Sequence, residues 1–146
     1  IVLDEASKYK VQNSCQTAQN NLKSLRQKEQ RIQRERTETY LDVQNEIDAL
    51  RLRLMRQGVE VTGVAKALLN YREQTDQYDR LSKSYYEALN DTVVIDCRQS
   101  PEAFVAGLNV IRQKRALLFE NTSVLQTDNF GSIKEQFNLI KNEVKV

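Results

Sequence analysis

Residues 11–54 read VQNSCQTAQNNLKSLRQKEQRIQRERTETYLDVQNEIDALRLRL, with no proline or glycine among them. Apolar or small side chains fall at Val11, Cys15, Ala18, Leu22, Leu25, Ile32, Tyr40, Val43, Ile47, Leu50 and Leu54. Their spacing is mostly three and four, which lines them along one side of an α-helix. At 1.5 Å per residue, about fifty helical residues reach roughly 75 Å, several times the radius of a compact domain of this length. The stretch therefore predicts an elongated, all-α protein. Its first helix spans about 5–57, capped by Asp4 or Ser7.

Working outward, Gly58 and Gly63 bracket Val-Glu-Val-Thr. Gly58 suits the left-handed position after a helix end, and Thr62 suits the cap of a second helix over about 62–90. That helix carries Val64, Leu68, Tyr71, Thr75, Tyr78, Leu81, Tyr85 and Leu89. A connection this short makes the two helices antiparallel neighbours. With the turn centred near residue 60, Leu50 faces Leu68 and Tyr71, Val43 faces Tyr78, and Tyr40 faces Leu81. Apolar meets apolar at most layers, as an antiparallel coiled coil needs. The tyrosines at 71, 78 and 85 read as seam residues whose hydroxyls reach water.

After Asn90-Asp91, the β-branched run Thr92-Val93-Val94-Ile95 predicts an extended strap to Cys97. Ser100-Pro101-Glu102 is a helix start, opening a third helix over about 101–120 with Phe104, Leu108, Ile111 and Leu118 on one face. A polar loop is expected to Gly131. Ser132 and Glu135 then fit a capping box for a fourth helix over about 132–145, carrying Ile133, Phe137, Ile140 and Val144. The whole is one all-helical domain, with a coiled-coil arm at 36–84 and a small three- or four-helix base from 1–35 plus 85–146. In it, the last two helices fold back on the lower part of the hairpin.

Cys15 and Cys97 have no Cys-x-x-Cys spacing and no histidine near them, which argues against a metal site. Residue 90 lies opposite residue 30. Seven extended residues cover about 23 Å, the rise of about fifteen helical residues. That brings Cys97 level with Cys15 and predicts a disulfide. A disulfide places the chain in the periplasm, on a cell surface or in secretion.

Composition removes whole classes of function. The chain of 146 residues contains no His and no Trp, which excludes His-activated hydrolases and His-ligated zinc or haem. No cofactor is expected, nor catalysis, because no phosphate cradle or oxyanion hole is legible. A formal net charge of +2 gives no argument for nucleic acid or an anionic membrane. No stretch has the about 18 to 20 apolar residues of a membrane span, although the apolar start Ile1-Val2-Leu3 suits an anchor preceding it. The sequons at Asn90 and Asn121 occur near chance frequency and carry no expectation.

The remaining feature is a charged stretch between Arg26 and Thr39 in which Ile32 alone is strongly apolar. Two successive four-residue steps, Ile32 to Arg36 to Tyr40, shift the heptad register there as a stutter does. Arg26, Lys28, Arg31, Arg34 and Arg36 are candidate docking residues for a protein partner. The expected function is a non-enzymatic extracytoplasmic interaction or structural module, the soluble part of a membrane-anchored or secreted protein. It would act by presenting its arm to a partner or to a second copy. The alternatives are a ligand-sensing helical bundle of a membrane receptor and an intracellular coiled-coil scaffold.

Overall fold

The computed structural model describes residues 1–144 and, in its last helix, side chains as far as Glu143. Every regular element among the described residues is helical. Helix α1 spans Glu5–Asn13, α2 Cys15–Arg56, α3 Thr62–Val93, α4 Pro101–Val124 and α5 Phe130–Val144, with a π-helical turn at Leu125–Asn129 joining α4 to α5. Lys145 and the side chain of Val144, both expected in the fourth helix, lie outside the described residues.

The helix ends follow local chemistry. Asp4 caps α1, its carboxylate accepting from the Ser7 N–H at 2.7 Å; the Ser7 side chain first, and then this N–H, hold its pKa below the usual value. The single helix expected over 5–57 is interrupted at Ser14, which sits at φ −91° and ψ 2° between α1 and α2. Its N–H still reaches the Lys10 carbonyl, so the break costs little hydrogen bonding. At the far end of α2, Gly58 adopts φ +79°. The Val59 N–H reaches Leu54 and the Gly58 N–H reaches Met55, both at 3.0 Å. This is the Schellman arrangement, and it needs a residue without Cβ strain at position 58. The expected Thr62 cap is corrected. Thr62 is already helical, and Glu60 accepts from both its N–H and its hydroxyl. The Glu60 carboxylate thus takes the Thr62 N–H, one of the first-turn donors without an intrahelical acceptor.

Two further boundaries differ from expectation. Helix α3 runs through Thr92 and Val93, so the strap begins later than Thr92. The Thr92 hydroxyl bonds the Ala88 carbonyl at 2.8 Å, which satisfies it inside the helix despite its β-branched neighbours. The loop expected to Gly131 is also helical, and Ser132 lies inside α5 rather than capping it. Thr122 and Thr127 donate to the Phe119 and Ser123 carbonyls, so the polar side chains of this stretch are absorbed by the helix itself. Buried residues recur at Ile111, Leu118 and Leu125, then at Asn129 and Ile133. Four-residue steps drift around an α-helix. The wider π turn takes up one extra residue and keeps Asn129 and Ile133 on the stripe.

The described chain divides into two compact units, Ile1–Arg34 with Leu81–Leu118, and Glu35–Arg80 with Phe119–Val146. In the second unit, Tyr71 is fully buried and Tyr78 is 2 % exposed. Tyr40 packs edge-on against both, with ring centroids 6.5 and 5.2 Å apart. Tyr71 also meets Phe130 edge-on at 6.1 Å. Its hydroxyl donates to the Tyr40 carbonyl at 3.2 Å rather than to water. Asp48 lies 3.9 Å from Arg72. The Tyr40–Tyr78 and Asp48–Arg72 contacts are compatible with antiparallel neighbours, and Tyr40 meets Tyr78 where Leu81 was expected. The Gly58 cap closes α2 at Arg56 and moves the turn toward residue 59, which shifts the register.

The last helix also packs differently from expectation. Asn121 donates to Gln74, and a Cβ on Gly63 would collide with the Gln136 side chain. The C-terminal segment thus lies on the first half of α3, not on the lower part of the first helix. Phe137 and Ile140 are half-buried there. In the first unit, Phe104 and Ile111 are buried as expected but Leu108 is only half-buried. The buried positions of α4 repeat every seven residues, which leaves Leu108 at the flank.

Candidate interaction surfaces and the cysteine clamp

Cys15 and Cys97 form a disulfide pair with Cα atoms 5.5 Å apart, and both are buried. The spacing suits a disulfide; the expected pairing is present, but not by the expected route, because residues 91–93 are helical and 94–99 run through turns rather than seven extended residues. Two flanking residues of the same helical face reinforce it. Gln12 donates to the Arg98 carbonyl at 2.8 Å and Gln19 to the Ile95 carbonyl at 2.7 Å. Positions 12, 15 and 19 share one side of the helix, so the connection from α3 to α4 is held at three points. Asp96 shapes that connection by accepting from the Arg98 and Gln99 N–H groups. The two glutamines were not anticipated. Their signal is only the i−3 and i+4 spacing about Cys15, which carries meaning once Cys97 is known to lie opposite.

Beside the clamp, Glu102 in the first turn of α4 accepts from the Leu3 N–H at 3.1 Å and lies 3.5 Å from Lys8. The Leu3 bond, with help from Lys8, holds its carboxyl below the ordinary range. A wide polar depression of about 510 Å³ opens there, lined by Lys8, Gln12, Gln99 and Glu102. A smaller open hollow of about 210 Å³ lies between Tyr40, Leu41, Thr75 and Asp76 in the second unit. The first is open rather than concave, and the second falls below the about 300 to 1,000 Å³ of small-molecule sites. Among the described residues, no group of three or more metal-ligating side chains comes together.

The five candidate docking cations do not form one surface. Arg26 is half-buried and donates to Asn90 at 3.1 Å. Lys28, Arg31, Arg34 and Arg36 are exposed. At about 100° per residue, Lys28, Arg31 and Arg34 share one face of α2, while Arg36 points about 160° away from Arg34. The Arg36 charge instead bears on Tyr40, whose hydroxyl burial pushes up. The three that remain make no ion pair among the described residues. Counting charges along the sequence does not find this grouping; projecting them onto the helix does.

No helix is long and apolar enough to cross a membrane among the described residues. No protein family model, no curated protein and no solved structure matches the chain.

Proposed function

We propose that the chain is a non-enzymatic interaction module acting outside the cytoplasm, the water-exposed part of a secreted or membrane-anchored protein. It presents paired helices of coiled-coil type to a protein partner. The observation that carries this reading is the row Lys28, Arg31 and Arg34, three exposed cations on one helical face with no ion pair among the described residues. Side chains held for stability find partners within the fold, as Arg26 does with Asn90. A row left to solvent on a rigid helix suits recognition of carboxylates, because arginine engages them through two parallel donors. The buried Cys15–Cys97 pair supports an oxidising compartment.

Partner capture from the native extracytoplasmic fraction tests the reading. Arg31→Glu combined with Arg34→Glu abolishes capture, while the melting curve moves by no more than about 0.5 kcal/mol for each exposed site. Capture that survives this pair, or that is lost only on changing the α4 face, refutes the assignment. Two free thiols in unreduced protein refute the compartment.

A further inference from the structure

In the first unit, α2 sorts its charges between two sides. Among residues 15–34 the acidic side chain is Glu29, which is half-buried and bears on the buried Tyr85 hydroxyl. Arg26 also turns inward, to Asn90. Lys23, Lys28, Arg31 and Arg34 stay exposed, within about 140° of one another at 100° per residue. The acid is thus withdrawn from the face that the cations occupy. The near-neutral total charge hides the same asymmetry on a larger scale. Lys and Arg outnumber Asp and Glu in the first unit and are outnumbered by them in the second.

This face has an order as well as a sign. Lys28, Arg31 and Arg34 form a row of three-residue steps, inclined about 45° to the helix axis. Lys23 reaches Arg31 along the crossing four-residue row, through Gln27, so Arg31 stands where the two rows meet. Along the edge beside Lys28 run Leu25 and Ile32, seven residues apart and half-buried.

We infer that the partner element is an α-helix with carboxylates at four-residue intervals and an apolar stripe beside them. The inference rests on the interaction reading above and gives the partner its chemistry. A row of three-residue steps seats between the four-residue rows of a facing helix, and the two axes then cross at about 20°. The carboxylates of such a row run beside Lys28, Arg31 and Arg34, where each arginine offers two parallel donors. Leu25 and Ile32 keep a heptad spacing, so they meet apolar side chains of the same helix, with the charges flanking the seam as in a coiled coil. An extended polyanion would satisfy the cations and leave this apolar edge uncovered. Exposed ion pairs contribute little singly, so the contact is sensitive to salt and its selectivity lies in the spacing.

Titration of the whole chain with synthetic peptides of about twenty residues, long enough to hold a helix, tests this by fluorescence anisotropy at low ionic strength. One peptide carries Glu at every fourth position beside a Leu stripe. The other holds the same residues reordered so that Glu falls at every second position, which scatters the acids around a helix. The first should bind at least about tenfold more tightly, a difference of about 1.4 kcal/mol. Its binding should be lost near 1 M salt, where the screening length falls to about 3 Å. Arg31→Glu should remove the preference, and Lys10→Glu on α1 should keep it. Circular dichroism checks that both variants retain their helices. Equal binding of the two peptides, no binding of the first, or tighter binding of a heparin fragment than of the first overturns the inference. Its failure is distinguishable from failure of the interaction reading. Partner capture that is lost with Arg31→Glu and Arg34→Glu while the two peptides bind alike overturns the helix alone, whereas capture that survives those reversals overturns the reading itself.

Discussion

The two units of this chain solve the same problem with different chemistry. The first contains the only segment in which about seven described residues in a row leave the helix, 94–100. It fixes that segment with a disulfide, two glutamine-to-carbonyl bonds and an aspartate-centred turn. The second unit is helical apart from the short turn after α2, and it is organised around Tyr40, Tyr71, Tyr78 and Phe130. A helix satisfies its own backbone and asks its neighbours only for apolar surface. A segment that leaves the helix must find other partners for its carbonyls. The cross-link and the amides appear where the backbone needs them, and aromatic packing suffices elsewhere.

The sharpest way to break this contrast is at Tyr71. Tyr71→Ala should destabilise by about 3 to 5 kcal/mol, because a fully buried aromatic leaves a cavity. Tyr71→Phe should cost only about 1 kcal/mol, the bond to the Tyr40 carbonyl. Denaturant unfolding of both variants checks the order. Equal losses would mean that the hydroxyl, not the ring, organises the second unit.

Removing the cross-link comes next. Cys15→Ala with Cys97→Ala should lower stability by about 2 to 4 kcal/mol, chiefly through the freer unfolded chain. Because Gln12 and Gln19 remain, hydrogen exchange in the native state should quicken around residues 94–100 and leave α5 unchanged. Faster exchange throughout α5 would show that the clamp supports more than its own unit.

Alkali addresses both units at once. Burial pushes the Tyr71 and Tyr85 phenols up to about 12, with Tyr40 adding to the first and Glu29 to the second. The raised value in the fold means that the neutral phenol is favoured there. The resulting stability is complete below pH 10 and is lost as pH rises from 10 toward 12, on the order of 2 kcal/mol for each phenol. Phenolate absorbance from these two residues should appear together with loss of helix. Ionisation of both near pH 10 with the helices intact would contradict their burial.

The smallest effects separate two glycines. A Cβ on Gly107 would sit 2.5 Å from the Thr92 hydroxyl oxygen. Gly107→Ala should therefore cost about 1 to 3 kcal/mol through overpacking in the first unit. Gly131 is helical and a Cβ there meets nothing within 4 Å, so Gly131→Ala should stabilise the second unit by about 0.5 to 1 kcal/mol. Thermal melts that move both variants in the same direction would contradict these surroundings.

Much of this was legible in the residues before any coordinates. The stripe from Val11 to Leu54, the glycine after Arg56 and the Ser100-Pro101-Glu102 start announce helices because their signals are local. Cys15 meets Cys97 because chain length alone limits where a strap of a few residues can reach. The charged stretch was visible as well, but its division was not. Arg26 turns inward to Asn90 because a residue 64 positions away offers it an acceptor, and no periodicity in the sequence contains that fact.

What the sequence determined by itself is the helical class, the turn at Gly58 and the pairing of the two cysteines. Each rests on backbone conformation or on reach along the chain. Tertiary structure decided that Thr92 stays helical, since its hydroxyl finds Ala88 and Gly107 leaves room for its side chain. It decided that residues 121–131 form a helix with a π turn, since Asn121 finds Gln74 and Ile133 must share a stripe with Leu125. Polar, β-branched and glycine-containing segments have weak intrinsic preferences, so the partner that satisfies their side chains selects their conformation.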